Sequence, residues 1–313
     1  MADAEVAPSA AVMPPVASIS VLISTYAGEQ ATHLEAALGS CVVQRLCPAE
    51  IVLVLDGPIP DDQQAVIGRF TQTAESIGVR FVVLPLDENV GLGAAMNAGL
   101  NVCTQPYVAR MDSDDLCDPE RFAVQWATLC AQPQIDLLAS WQADFEYDPE
   151  QTFQVKTVPE QHEDIVRVLR WRNAVPHPSI VFKRETVVAI GGYHPLLYLE
   201  DYDLFMRLVS AGARLHAIQQ PLIHVRVTRH QRERRGGWPY VVRDARFRWS
   251  LYRRGDISLL NCCVSTLVYA SFRLAPVSVK HFLYSTVRRA RRQGTSLELS
   301  LPAHEKTAVS GYS

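Results

Sequence analysis

The stretch Tyr107-Val108-Ala109-Arg110-Met111-Asp112-Ser113-Asp114-Asp115 holds an apolar run long enough for one buried strand and closes it with three carboxylates. Buried strands seldom end this way, because crowded carboxylates repel one another unless a cation neutralises them. Asp112 and Asp114 stand two apart, so an extended chain points both to the same side. Paired oxygens of this kind suit Mg²⁺ or Mn²⁺, with substrate phosphates completing the shell. A solvated acidic turn ahead of a helix near Pro119 is the competing reading, and the motif alone does not separate the two.

Upstream, residues 18–24 read as a strand, buried on both faces toward its end, that runs into the polar loop Thr25-Tyr26-Ala27-Gly28. Residues 31–43 carry Leu34, Ala37, Leu38, Cys41 and Val42 at helical spacing. A second strand at 50–55 closes on Asp56-Gly57-Pro58, a helix covers 61–77, and a third strand spans 79–84. This β-α-β-α-β rhythm implies an α/β fold with a doubly wound, mostly parallel, right-handed sheet. Ligands of such sheets sit at the carboxyl ends of the strands, where Thr25, Tyr26, Asp56 and Asn89 fall. Asp56 ahead of Gly57 also suits a plain turn. The segment Asn89-Val90-Gly91-Leu92-Gly93 lacks the full dinucleotide fingerprint and follows a loop, which argues against a NAD site. Its small residues let a helix start close to a phosphate or to a neighbouring strand.

Downstream, helices are expected at 120–131 and 160–173, a strand at 135–141 and an edge ribbon over 145–158. His177 lies between two prolines ahead of a strand, a fixed backbone that suits either a placed or a merely structural imidazole. Tyr198-Leu199-Glu200-Asp201-Tyr202-Asp203 opens a helix to residue 211, its acids in the first turn where the dipole favours negative charge. Short strands follow at 213–219 and 223–227.

The 313 residues, 48% hydrophobic and 20% charged, describe a globular chain able to bury a sizeable core. Net charge is only −3 but unevenly spread: residues 204–313 hold 19 Lys+Arg against 5 Asp+Glu, and the first 203 hold 11 against 28. A basic second half implies an anionic partner such as lipid, phosphate or nucleic acid. The seven cysteines show no zinc spacing and read as reduced, cytosolic thiols. No apolar run reaches the roughly 18 residues of a membrane span.

Taken in order, these segments resemble the family 2 glycosyltransferases of GT-A fold, over about residues 18–230. The segments Arg234-Arg235-Gly236-Gly237-Trp238-Pro239-Tyr240 and Arg273-Leu274-Ala275-Pro276 are similar to a bacterial subgroup that builds exopolysaccharide or O-antigen units, of the amylovoran biosynthesis type. The resemblance implies an inverting hexosyltransferase that moves sugar from a nucleotide-sugar, UDP-hexose by the family's commonest usage, to a lipid-diphosphate-linked or saccharide acceptor. It sets Thr25, Tyr26 and Asp56 around the base and ribose, with Asn89, Gly91, Asn97, Arg110 and Arg226 also toward the donor. Asp112 lies at the ribose or diphosphate, and Asp112 and Asp114 hold Mg²⁺ or Mn²⁺. Asp201 matches the general base and Glu200 orients it. Leu55 stands where many members have an acid, which implies fewer contacts to the donor base. Arg226, Arg234 and Arg235 suit either diphosphate or lipid. A sugar nucleotidyltransferase would be expected to carry a Gly-rich basic loop after the first strand, and a noncatalytic membrane-bound scaffold would have no need of Asp114 and Asp201. Nucleic acid is not expected as a partner, because no binding motif occurs.

The C-terminal part, residues 231–292, reads as a basic amphipathic helical extension. It carries Leu259, Leu260, Val264, Leu267 and Val268, then Val277, Phe282 and Leu283 ahead of Arg288-Arg289-Ala290-Arg291-Arg292. That pattern suits either the headgroup plane of an anionic membrane or packing, on the catalytic domain or on a second subunit. Residues 1–17 and 293–313 read as tails. The expected location is cytoplasmic, peripheral on the inner face of the plasma membrane.

Overall fold

The computed structural model describes residues 16–228 and 237–274. Its first strand, β1 (Val16–Thr25), is buried along both faces because alternate side chains enter two different cores. Ile19, Val21 and Ile23 pack with α1 (Ala31–Val42), α2 (Asp61–Ser76) and α4 (Arg121–Ala131), whereas Leu22 packs with α3 (Leu92–Val102) on the opposite side. The strands β2 (Cys47–Leu55) and β3 (Arg80–Pro85) extend the sheet on one side of β1, and β4 (Tyr107–Asp112) lies on the other. All four run parallel. The winding therefore reverses at β1 and β4, and a crevice opens beyond their carboxyl ends. Ser24 is paired with Asp112 at that edge.

The small residues of α3 bring it onto the sheet. A Cβ on Gly99 would meet Leu22 Cδ1 at 2.3 Å and Val54 Cγ2 at 2.7 Å, so a larger residue there would push helix from sheet.

Beyond β4 the sheet is mixed, in the order β3-β2-β1-β4-β8-β6-β9-β5. Here β5 is Leu116–Cys117, β6 is Leu137–Phe145, β8 is Val181–Lys183 and β9 is Leu215–Arg226. The ribbon expected over 145–158 reduces to β7 (Gln154–Lys156) against β6. The two short strands expected at 213–219 and 223–227 are one strand, β9, whose register against β6 shifts where Pro221 meets Trp141. A proline reads as a break in sequence, but a local irregularity absorbs it. The first strand also begins at Val16, inside the expected tail.

Helix α5 (His162–Leu169), a 3-10 turn (His177–Ser179), α6 (Arg184–Ala189) and α7 (Glu200–Ser210) follow around β8. The C-terminal helices are α8 (Trp238–Arg254) and α9 (Leu259–Leu274). Phe247 and Leu251 of α8 belong to the same apolar core as α7, and the Tyr202 and Phe247 rings lie 5.3 Å apart. Of the two roles open to the extension, packing on the domain is the one α8 performs. The segment around Arg288 and the pair Arg234 and Arg235 lie outside the described residues.

Candidate active site

Strand alternation places Arg110 and Asp112 on one side of β4. Arg110 is almost wholly buried, and its Nη1 donates to Asp112 Oδ2 at 2.7 Å while Nη2 pairs with Oδ1. Burial alone would depress the guanidinium, but the Asp112 charge and hydrogen bonds outweigh it and hold Arg110 above its ordinary value. Arg110 was expected to face the donor; its two terminal nitrogens pair with Asp112, which they hold at the strand end. Arg121, buried on α4, donates from Nη2 to the Arg110 carbonyl at 2.9 Å and fixes this strand from below.

The next turn gathers the acids. Asp112, Asp114 and Asp115 each offer an oxygen, and these atoms lie within 4.8 Å of one another. Asp115 is 1% exposed; its Oδ1 accepts the Arg226 N–H at 2.9 Å, and its Oδ2 is buried with no hydrogen-bond partner. Burial first, then the charges of Asp114 and Asp112, push the Asp115 carboxyl well above the usual carboxylate range. Three crowded hard oxygens and one orphaned buried oxygen fit a divalent cation of the Mg²⁺ or Mn²⁺ class. The sequence reading named Asp112 and Asp114 and passed over Asp115, although the run of three acids was the signal. At the end of β9, Arg226 closes the turn: Nε donates to the Asp114 carbonyl at 3.2 Å, and the guanidinium lies 4.6 Å from the Phe145 ring centre.

On the other side of β1, Thr25 is buried and its hydroxyl donates to Gln63 Oε1 at 3.2 Å. Gln63 in turn donates to the carbonyls of Tyr26 and Glu29 at 3.0 and 2.7 Å, pinning the loop that presents Tyr26. Nothing local in the sequence pointed to Gln63. Asp56 is 6% exposed and accepts from the Val90 N–H at 2.7 Å and the Gly91 N–H at 3.1 Å. Asn89 donates to the Asp56 carbonyl at 3.2 Å. Gly57, at φ +87°, sits where a Cβ would come within 2.8 Å of the Asn89 nitrogen. Asp56, Asn89 and Gly91 therefore form one hydrogen-bonded loop at the end of β2, and the turn-forming role of Asp56 is real.

Helix α7 supplies the third wall. Asp201 Oδ2 accepts from Asn173 Nδ2 at 2.7 Å, and its Oδ1 accepts the Tyr202 N–H at 2.7 Å. Glu200 lies beside the start of α3, where a Cβ on Gly93 would be 3.7 Å from the Glu200 Cβ. Asn97 braces a turn: Nδ2 donates to the Tyr193 carbonyl at 2.8 Å and Oδ1 accepts the Tyr193 N–H at 2.7 Å. That turn aims Tyr193 inward. Burial raises its phenol first, Arg110 opposes, and Asp201, Glu200 and Asp112 raise it further. The charges of Asp201, Glu200 and Asp112 thus all oppose ionisation of one buried phenol. Tyr193 Oη lies 2.9 Å from His177 Nε2, and burial with the Arg110 charge keeps that imidazole neutral. His177 packs edge-on to Phe205.

The Glycosyl transferase family 2 model matches residues 20–199. The chain is 36% identical over 273 residues to the amylovoran biosynthesis glycosyltransferase AmsE of Erwinia amylovora, covering 86% of this chain and 99% of that protein. It is 29% identical over 270 residues to the UDP-Gal:α-D-GlcNAc-diphosphoundecaprenol β-1,3-galactosyltransferase of Escherichia coli, covering 86% and 96%. Among solved structures it resembles the mannosyltransferase PcManGT of Pyrobaculum calidifontis, in complex with GDP-Man and Mn²⁺. The TM-score is 0.52 at 17% identity, covering 90% of this chain and 83% of that one. The fold is GT-A.

Proposed function

The chain belongs to the family 2 glycosyltransferases, and from that premise we propose that it is an inverting, metal-dependent hexosyltransferase using a nucleotide-sugar, UDP-hexose first, and a lipid-diphosphate-linked acceptor. Its relatives put it among the glycosyltransferases of bacterial polysaccharide synthesis. The lipid-linked acceptor is supported by the Escherichia coli relative, whose acceptor is a diphosphoundecaprenol, and the peripheral inner-membrane location goes with it.

The observation that carries the reading is the acidic turn at the switch point, where oxygens of Asp112, Asp114 and Asp115 lie within 4.8 Å of one another, together with Glu200 and Asp201 in the first turn of α7. Asp112, Asp114 and Asp115 would hold Mg²⁺ or Mn²⁺. When bound, the ion stabilises negative charge on the diphosphate leaving group. Tyr26 and the Asp56–Asn89–Gly91 loop receive the base and ribose. Asp201, oriented by Asn173, takes the proton from the acceptor hydroxyl as that oxygen attacks the anomeric carbon. Glu200 shapes the same wall. One displacement inverts the configuration, so no enzyme nucleophile is required.

The test is transfer from UDP-hexoses, with Mn²⁺, to a synthetic lipid-diphosphate-linked N-acetylhexosamine, with the product anomer read by NMR. A product of inverted configuration supports the proposal. Retention of configuration, or turnover unaffected by chelation, overturns it.

A further inference from the structure

Helix α9 shows water an uncharged face. Leu259, Leu260, Val264, Leu267, Val268 and Leu274 are 39–69% exposed. Exposed Cys263 and Ser271 complete the set among the described side chains of this helix. At 100° per residue these positions sweep one whole side of the helix. The other side, with Cys262 and Ser265 buried, rests against α8. A surface helix ordinarily turns charge outward, and an apolar face this continuous marks a binding surface. The neighbouring helix α8 exposes Trp249, Arg246 and Arg253. Among the exposed residues from 237 to 274 there is no acid.

We infer that the α8–α9 hairpin docks on an anionic lipid bilayer, with the α9 face entering the headgroup boundary and Trp249, Arg246 and Arg253 meeting the headgroups. The inference rests on the lipid-linked acceptor proposed above. Charge selects the occupant. A two-fold contact through this hairpin would bring the arginines of both copies together with no exposed acid on either hairpin to pair them. The later sequence, with Arg288, Arg289, Arg291 and Arg292, adds the same sign. An anionic bilayer complements both the apolar face and the basic flank. No described helix is long and apolar enough to cross a membrane, so the contact is interfacial.

The hairpin is also tied to the catalytic wall. Arg254 Nη1 donates to Asp203 Oδ1 on α7 at 2.8 Å, and the Tyr240 ring stacks on Tyr198 at 6.2 Å, three residues before Asp201. Tyr198 holds φ +68°, a left-handed conformation a tyrosine adopts only under constraint from its surroundings. Docking thus holds the start of α7 at the level where a lipid-linked diphosphate leaves the bilayer.

The experiment compares full-length protein with the double variant Leu260→Gln/Leu267→Gln, using phosphatidylcholine vesicles with and without phosphatidylglycerol. Donor hydrolysis and thermal melting are followed in parallel. The unaltered chain is expected to sediment with the anionic vesicles and to be released by salt. The variant should lose at least about tenfold in apparent affinity, since two buried leucines are removed from the contact. Its melting and donor hydrolysis should be unchanged. Equal vesicle binding by both proteins overturns the inference. So does a dimer, seen by light scattering, that the variant converts to monomer without any vesicle binding. A variant that melts several degrees lower while binding vesicles normally also overturns it, because the chain's own later residues then cover the face. If vesicle binding behaves as expected but no nucleotide-sugar turns over, the transferase reading fails and the docking surface stands.

Discussion

Asp201 and Asp203 stand two residues apart in the first turn of α7 and meet opposite surroundings. Asp203 is wholly buried, contacted by Arg207 Nε at 2.7 Å, Arg254 Nη1 at 2.8 Å and His194 Nδ1 at 2.9 Å. Asp201 is only partly buried and is held by the neutral amide of Asn173. Helical geometry turns successive positions by 100°, so one acid faces the α8 junction while the other faces the crevice.

Asp203 is therefore a stability residue. Asp203→Asn leaves cations facing a neutral amide, and breaking a buried pair in this way costs about 3–5 kcal/mol. Burial alone would raise the Asp203 carboxyl, but hydrogen bonds from Arg254 and Arg207 hold it below the usual carboxylate range. A depressed folded-state value means the stabilisation is complete above the ordinary carboxylate value of about 4 and is lost as pH falls through it toward the folded-state value. Urea melts at neutral and acid pH check both points. The variant should start less stable and lose less on acidification than the unaltered chain.

Asp56 joins stability to binding. Asp56→Ala strands the N–H groups of Val90 and Gly91 beside a buried position, at a cost of about 1–3 kcal/mol. The loop bearing Asn89 loosens with them, so uridine nucleotide affinity should fall in the same variant. Thermal melts and calorimetry check this. Unchanged melting would show that the two amide bonds contribute nothing.

Asp115→Asn isolates the metal. The amide oxygen can still accept the Arg226 N–H, while a buried carboxyl whose ionisation burial, Asp114 and Asp112 all oppose is removed. The metal-free variant should be at least as stable as the unaltered chain. Its Mn²⁺ affinity, read by paramagnetic resonance without nucleotide, should fall about tenfold or more, within the range seen when a metal's supporting groups are removed. Asp114→Ala should do the same. Equal Mn²⁺ binding in all three proteins would leave the acidic turn without a cation.

The half of the sheet that forms the crevice was legible because its order is local. The alternation in β1, β2 and β4 and the helical spacing of Leu34, Ala37, Leu38 and Cys41 announce themselves in a few consecutive residues. The acids of the turn after Met111 and at the start of α7 were legible for the same reason. What stayed hidden depends on distant partners. Asn97 reads as a polar position near glycines and is in fact hydrogen-bonded to Tyr193, 96 residues on. Gln63 looks like an ordinary helix residue until its bonds to the loop after Thr25 are known. Pro221 lies inside a strand because β6 can shift its register there. The two-residue strand β5 has no periodicity to detect.

Asp201 separates chemistry from binding. Asn173 donates to Oδ2 and so orients the carboxylate. The start of α7 favours negative charge at this position. Asp201→Asn preserves the size of the side chain and an oxygen to accept one hydrogen bond, but its amide cannot take a proton from an acceptor hydroxyl. Donor affinity and melting should therefore stay close to those of the unaltered chain. Turnover should fall by about 10²–10⁴, the contribution of a general base that acts only in the transition state. Glu200→Gln, which keeps the wall but removes a neighbouring charge, should cost less than Asp201→Asn. The deciding measurement is turnover at saturating donor, alongside donor affinity from calorimetry. Full turnover in Asp201→Asn with loss in Glu200→Gln would move the base by one residue. Loss of donor affinity in step with turnover would instead make Asp201 a binding group, because an interaction confined to the transition state leaves the ground-state complex untouched.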